Sequence, residues 1–282
     1  CGALRKLRIP NRLLAVSALR IFSYLPNPRL FKATITARLN GVSLEIRGAK
    51  PAALADWLWD YDAHPLNDAD RADQSTVRTA RKGFTGEIHK TDDFLRAHPF
   101  GTVPAAFDPS GRIGIFESNS IMRAVARLGE ARLQLYGDDP YSTTRVDAFL
   151  DSSLVFAVES QRYLFALSGK GALAGAHDEM TAAFEAYMGG IDTVRGTSSV
   201  FIAGNTMTLA DICFACELTL FALERHEHAR LEAVGRRPII GQTSHAAYPR
   251  AFEHYEKLMA QSAFAEDLGP YREKMTLAKI FA

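Results

Sequence analysis

The stretch from residue 94 to residue 122 constrains this chain more than any other. Residues 94–97 read as the end of a short helix, and His98-Pro99 stops it, because a residue before proline is pushed out of the helical region. Gly101 permits a turn, Val103-Pro104 enters the apolar run 105–107, and Asp108-Pro-Ser-Gly111 is a strong turn signal. Residues 113–116 read as a second strand, so the two runs form a hairpin. After Phe116 the period changes, and Ile121, Met122, Val125, Ala126 and Leu128 share one face of a helix. That helix starts at Glu117-Ser118-Asn119, where free backbone N–H groups and a serine hydroxyl attract an anion. The spacing predicts a hairpin that ends in a small carboxylate-binding niche.

Pro99-Phe-Gly-Thr-Val-Pro104 followed by Phe116-Glu-Ser-Asn-Ser-Ile121 resembles the glutathione-binding half of the glutathione S-transferases. That family runs roughly N-P-x-G-x-V-P, then a hairpin, then E-S-x-A-I. His98 stands here for the usual asparagine and Ser120 for the usual alanine. The resemblance implies a cis Val103–Pro104 bond, with the Val103 backbone pairing with the cysteinyl part of glutathione. It places the γ-glutamyl carboxylate and amine on Glu117 and Ser118, with Asn119 beside them. The implied fold is an α/β N-terminal thioredoxin-like domain plus an all-α C-terminal domain.

The chain in order agrees with that plan. Residues 18–24 read as a strand broken by Leu25-Pro-Asn-Pro28, residues 29–39 as a helix with Phe31, Ile35 and Leu39 on one face, and residues 42–46 as a second strand. Residues 50–92 are an insertion relative to the family and hold both tryptophans, Trp57 and Trp59. Within it, 52–61 is expected to be a helix and the polar 67–79 a mobile loop. Two roles stay open: a lid or dimer arm over the active site, or a surface excursion whose aromatics pack on their own domain. Residues 128–141 are a linker, and helices are expected at 143–167, 178–194 and beyond 249. Thr208-x-x-Asp211 is a capping box before an apolar run. The domains expected are thus 18–128, carrying the insertion 50–92, and 140–282.

Residues 22–32 and 272–281 also resemble the two ends of the transferase-like domain in the gamma subunit of the eukaryotic translation elongation complex. Bacterial transferases, including ether-cleaving ones, share the build. Residues 1–17 carry Arg5, Lys6, Arg8 and Arg12 before a short apolar patch. A signal peptide, a transit segment, and a non-native or processed, disordered end are the readings, the last preferred.

Glutathione attacks as its thiolate, and a thiol with a pKa of about 8.5 is only slightly ionised at neutral pH. In the family a donor after the first strand holds the sulfur. Candidates here are Ser23, Tyr24 and Asn27, with Arg29 as an electrostatic helper at the helix start. No cysteine lies in that loop, which disfavours thiol-exchange chemistry. Cys213-x-x-Cys216 falls in an apolar run and reads as core, and His226-x-His228 as a solvated helix end, so no metal is expected.

A formal net charge of +1 gives no field that favours nucleic acid or acidic membranes, and three cysteines suit a reducing compartment. The expectation is a cytoplasmic glutathione transferase, a homodimer or a heterodimer with a related subunit. Glutathione is its cosubstrate, and it conjugates a hydrophobic electrophile or cleaves an aryl ether. The rival expectation is a non-catalytic interaction module of the same fold.

Overall fold

The computed structural model describes residues 17–80, 84, 86–129, 134–169 and 171–274. The readings of residues 1–16 and of residues 275–282 fall outside them.

Strand β1 (Leu19–Tyr24) buries Leu19, Ile21 and Phe22, and helix α1 (Pro28–Asn40) returns the chain to β2 (Leu44–Ala49), which pairs parallel to β1. Asn27 caps α1 by accepting the Arg29 N–H, Pro28 occupies its first turn, and Gly41 ends it at φ 69°. After α3 (Asp92–Ala97) comes the hairpin of β7 (Ala105–Phe107) and β8 (Gly114–Ile115), then α4 (Ser118–Leu128). The sheet order is β2-β1-β7-β8. Ile21, Leu30, Ala33, Ile121 and Val125 pack α1 and α4 on one face. This is the expected thioredoxin-like arrangement. Gly48 is required on steric grounds, because a Cβ there would sit 1.7 Å from the Ser23 carbonyl oxygen.

The insertion departs from expectation. Residues 52–61 are not a helix: a 3₁₀ segment (Pro51–Asp56) leads into β3 (Trp57–Trp59). Nor is 67–79 an irregular loop, since it forms α2 (Asp68–Ala72), a 3₁₀ turn and β5 (Val77–Thr79). With β4 (His64–Pro65) and β6 (Glu87–Lys90) these strands make a second sheet, ordered β4-β3-β6-β5. Burial of Trp59 decides the matter. Its ring packs edge-on against Phe22, Phe84 and Phe94, and its indole N–H donates to the Leu54 carbonyl at 3.0 Å. The aromatics thus cover the free face of the main sheet, together with Phe94 and Phe107.

The remainder is helical: α5 (Pro140–Leu167), α6 (Leu173–Arg195), α7 (Leu209–Phe221), α8 (His228–Ala233), α9 (Gln242–Ala247), α10 (Pro249–Met259) and α11 (Ser262–Lys274). Helix α5 begins three residues before the expected start because Asp139 caps it and Pro140 fits its first turn. Every residue of α7 is buried, Cys213 and Cys216 included, so it is the axis around which the others pack. Asp211 does more than cap α7. Its carboxylate accepts the Thr208 and Ile202 N–H groups and pairs with His254 Nε2 at 2.8 Å.

Candidate functional site

The antiparallel register of β1 and β7 sets Phe22 opposite Ala105. Continued outward, it places Pro104 across from Ser23 and Val103 across from Tyr24. The α1 N-terminus follows β1 at this same end of the sheet, and the chain leaving β8 there enters α4. The topology therefore brings Tyr24, Val103 and Ser118 together.

The Val103–Pro104 bond is cis, as is Leu25–Pro26. Among the described residues neither the N–H nor the carbonyl of half-buried Val103 has a hydrogen-bond partner, so an extended ligand strand meets a free donor and acceptor there. Glu117 is exposed and holds φ 64°, ψ 125°, a conformation costly for a non-glycine residue. It turns the chain sharply into α4, whose first turn has no side-chain cap. The Ser118 and Asn119 N–H groups are thus left for an anion.

Beneath this helix mouth lies a buried polar cluster. Lys32 Nζ donates to Glu217 Oε1 at 2.7 Å, to Asn119 Oδ1 at 2.8 Å and to Ser118 Oγ at 3.2 Å. Arg29 Nε lies 3.4 Å from the same Glu217 oxygen, and Arg29 also donates to the Ala157 carbonyl at 2.7 Å and to Gln161 at 3.0 Å. Burial opposes the Glu217 charge, but Arg29 and Lys32 hold its carboxyl below the usual range. Burial likewise opposes the Lys32 charge, yet its surroundings, Glu217 among them, keep the ammonium above its usual value.

The candidate residues separate by their partners. Asn119 is turned inward: its amide donates to the Leu150 carbonyl at 3.0 Å and to Ser153 Oγ at 3.1 Å, so it ties α4 to α5. Asn27 is buried as the α1 cap and donates to Ser23 Oγ at 3.0 Å. Ser23 is buried and donates to the Tyr24 carbonyl. Tyr24 differs: half-buried, its hydroxyl has no hydrogen-bond partner among the described residues. Burial raises the Tyr24 pKa, with Arg29 opposing and Glu217 adding to the rise, so the hydroxyl keeps its proton and can donate. An open cleft of about 520 Å³ lies elsewhere, lined among others by His177, Phe184, Arg237 and Tyr248. None of the predicted site residues lines it. Among the described residues no cluster suits a metal ion, and no helix is long and apolar enough to cross a membrane.

The family model for the glutathione S-transferase N-terminal domain matches residues 57–128. Elongation factor 1-gamma 1 of Oryza sativa subsp. japonica is 29% identical over 144 residues, 50% of this chain and 34% of the relative. The glutathione S-transferase-like protein FUS3 of Gibberella moniliformis is 27% identical over 202 residues, 70% of this chain and 74% of the relative. Residues 57–128 thus resemble the glutathione S-transferase N-terminal domain, and the chain is similar to a transferase-like protein over 70% of its length. It spans about a third of the length of the elongation factor relatives it matches. The glutathione transferase URE2P6 of Phanerochaete chrysosporium, solved with oxidized glutathione, shares the fold: TM-score 0.60 and 13% identity over 92% of this chain and 98% of that one. A glutathione S-transferase of Rhodospirillum rubrum aligns at TM-score 0.55 and 16% identity, covering 88% and 91%.

Sequence reasoning missed the roles of three residues at or beside the candidate site. Lys32 sits three residues before Ile35 on the inward side of α1, and Glu217 is a lone carboxylate in a long apolar run. A charge in such a place must be paired, and that was the available signal. His98 is the third. It is buried between the Phe94 and Phe116 rings, at 5.8 and 4.9 Å between centroids, and neither ring nitrogen has a hydrogen-bond partner. Burial lowers its pKa to about 4, so it packs as a neutral ring.

Proposed function

We propose that this chain is a glutathione-dependent transferase in which residues 18–128 bind glutathione and residues 140–282 supply most of the wall around the second substrate. The unpartnered backbone of Val103, together with the uncapped first turn of α4, carries this reading. The tripeptide lies along Val103 and Pro104, its γ-glutamyl carboxylate at Ser118 and its amine beside the exposed Glu117 carboxylate. The cysteinyl sulfur then faces β1, where the Tyr24 hydroxyl donates to the thiolate. Each unit of thiol pKa lowering asks for about 1.4 kcal/mol of selective stabilisation, within reach of one charge-assisted hydrogen bond. The nearby Arg29 charge adds to it. The electrophile, an alkyl or aryl halide or an aryl ether, sits between this loop and α5.

The likeness to elongation factor 1-gamma favours a second reading, a non-catalytic module of the same fold that assembles with other proteins. Titration with glutathione by calorimetry, followed by assays with chlorodinitrobenzene and a model aryl ether, separates the two. Binding with turnover supports the transferase. Binding without turnover leaves the module, and no binding overturns the transferase and favours the module. Dimerisation belongs to the first reading: Phe100, 70% exposed, and Val155 and Val158 on α5 present apolar surface to a second copy.

A further inference from the structure

The Lys32 ammonium has three protons, and the structure gives each one acceptor: Glu217 Oε1, Asn119 Oδ1 and Ser118 Oγ. A lysine can only donate. Ser118 Oγ is therefore fixed as an acceptor on its inner side, and its own proton must go elsewhere. Among the described residues that proton has no acceptor, and Ser118 is 9% exposed at the first position of α4. The hydroxyl is left to donate outward, into the same space as the unclaimed N–H groups of that helix. A serine free to rotate would lose part of this directionality to hydrogen bonding with its own backbone.

Glu217 keeps Lys32 charged: its carboxylate lies 2.7 Å from the Lys32 ammonium, which holds all three protons as donors. Asn119 cannot replace Lys32 in directing Ser118, since its amide protons go to Leu150 and Ser153.

We infer that Lys32 is a positioning residue for substrate binding: it orients the Ser118 hydroxyl toward the γ-glutamyl carboxylate of glutathione. This rests on the proposed glutathione site. It assigns a function to a lysine on the far side of Ser118 from the ligand.

Calorimetric titration with glutathione and with cysteinylglycine, which lacks the γ-glutamyl group, tests the inference. Four proteins are compared: wild type, Ser118→Ala, Lys32→Met/Glu217→Gln, and the triple variant. Pairing the Lys32 and Glu217 changes avoids stranding a buried carboxylate, and thermal midpoints check the fold. The wild type prefers glutathione. Ser118→Ala and the paired variant each lose about tenfold or more of that preference, and the triple variant loses no more than either. A folded paired variant with wild-type preference for glutathione overturns the inference while the site reading stands. Undiminished preference in Ser118→Ala overturns it as well. A wild type that binds no glutathione overturns the site reading and this inference together. If the paired variant does not fold, the Lys32 side-chain ¹⁵N resonance of the wild type decides. It shifts with glutathione and stays put with cysteinylglycine, and equal behaviour with both overturns the inference.

Discussion

Lys32 and Glu217 form a 2.7 Å ion pair with both side chains withdrawn from solvent, joining the first helix of the sheet domain to the central helix of the helical domain. Removing one partner strands the other charge. Glu217→Ala is expected to cost about 3–5 kcal/mol in urea unfolding, and Lys32→Met/Glu217→Gln considerably less. The pair also shapes the pH profile. Glu217 has a depressed carboxyl, so its contribution is present above about pH 4.3 and is lost as pH falls through the native value. Lys32 is raised, so its contribution is present at neutral pH and is lost only as pH climbs past its native value in the alkaline range. The paired variant is expected to lack both limbs.

Asp211 joins three elements with one carboxylate: the turn before α7, the segment at Ile202 and His254 on α10. A simple helix cap is worth about 1 kcal/mol. Asp211→Ala also strands a buried N–H and a buried histidine, so a loss of about 3 kcal/mol or more is expected from chemical denaturation. Thr208→Ala leaves the carboxylate in place and is expected to cost about 1 kcal/mol.

The hairpin, the helix starting at Ser118 and the turn at His98 were legible because proline, glycine and a change of hydrophobic period are local signals. The insertion was not legible. Its strands are two to four residues long, and the Trp57–Trp59 run looks the same in a short helix as in a strand. What decides is Phe22 on β1, distant in sequence, against which both tryptophan rings pack. In the site, Glu117 and Ser118 could be read from the motif alone. That Asn119 turns inward follows from Leu150 and Ser153 on α5, partners about thirty residues away that no local pattern reveals.

His98 makes the acid limb of stability steeper. Its native pKa is about 4 and its unfolded value about 6.5, so the unfolded chain takes up the proton first. Its contribution is complete above about pH 6.5 and is lost between there and about pH 4. His98→Leu removes this titration and also two unpaired buried nitrogens. The variant is expected to lie within about 1 kcal/mol of wild type at pH 7 and to be the more stable protein at pH 5, as urea midpoints at the two pH values will report.

The loop after β1 sorts its three candidates by what they already hold. Tyr24→Phe removes a hydroxyl with no partner among the described residues, so the melting temperature is expected to stay within about 2 °C. The pKa of bound glutathione, followed by thiolate absorbance, is expected to rise by about one unit, and kcat with chlorodinitrobenzene to fall about tenfold or more. Asn27→Ala removes the α1 cap and the bond to Ser23 and is expected to cost about 1–2 kcal/mol of stability. A thiol pKa unchanged in Tyr24→Phe but raised in Asn27→Ala would move the donor to Asn27. The side-chain amide would then have to release Ser23 when glutathione binds, a change visible in a structure of the complex.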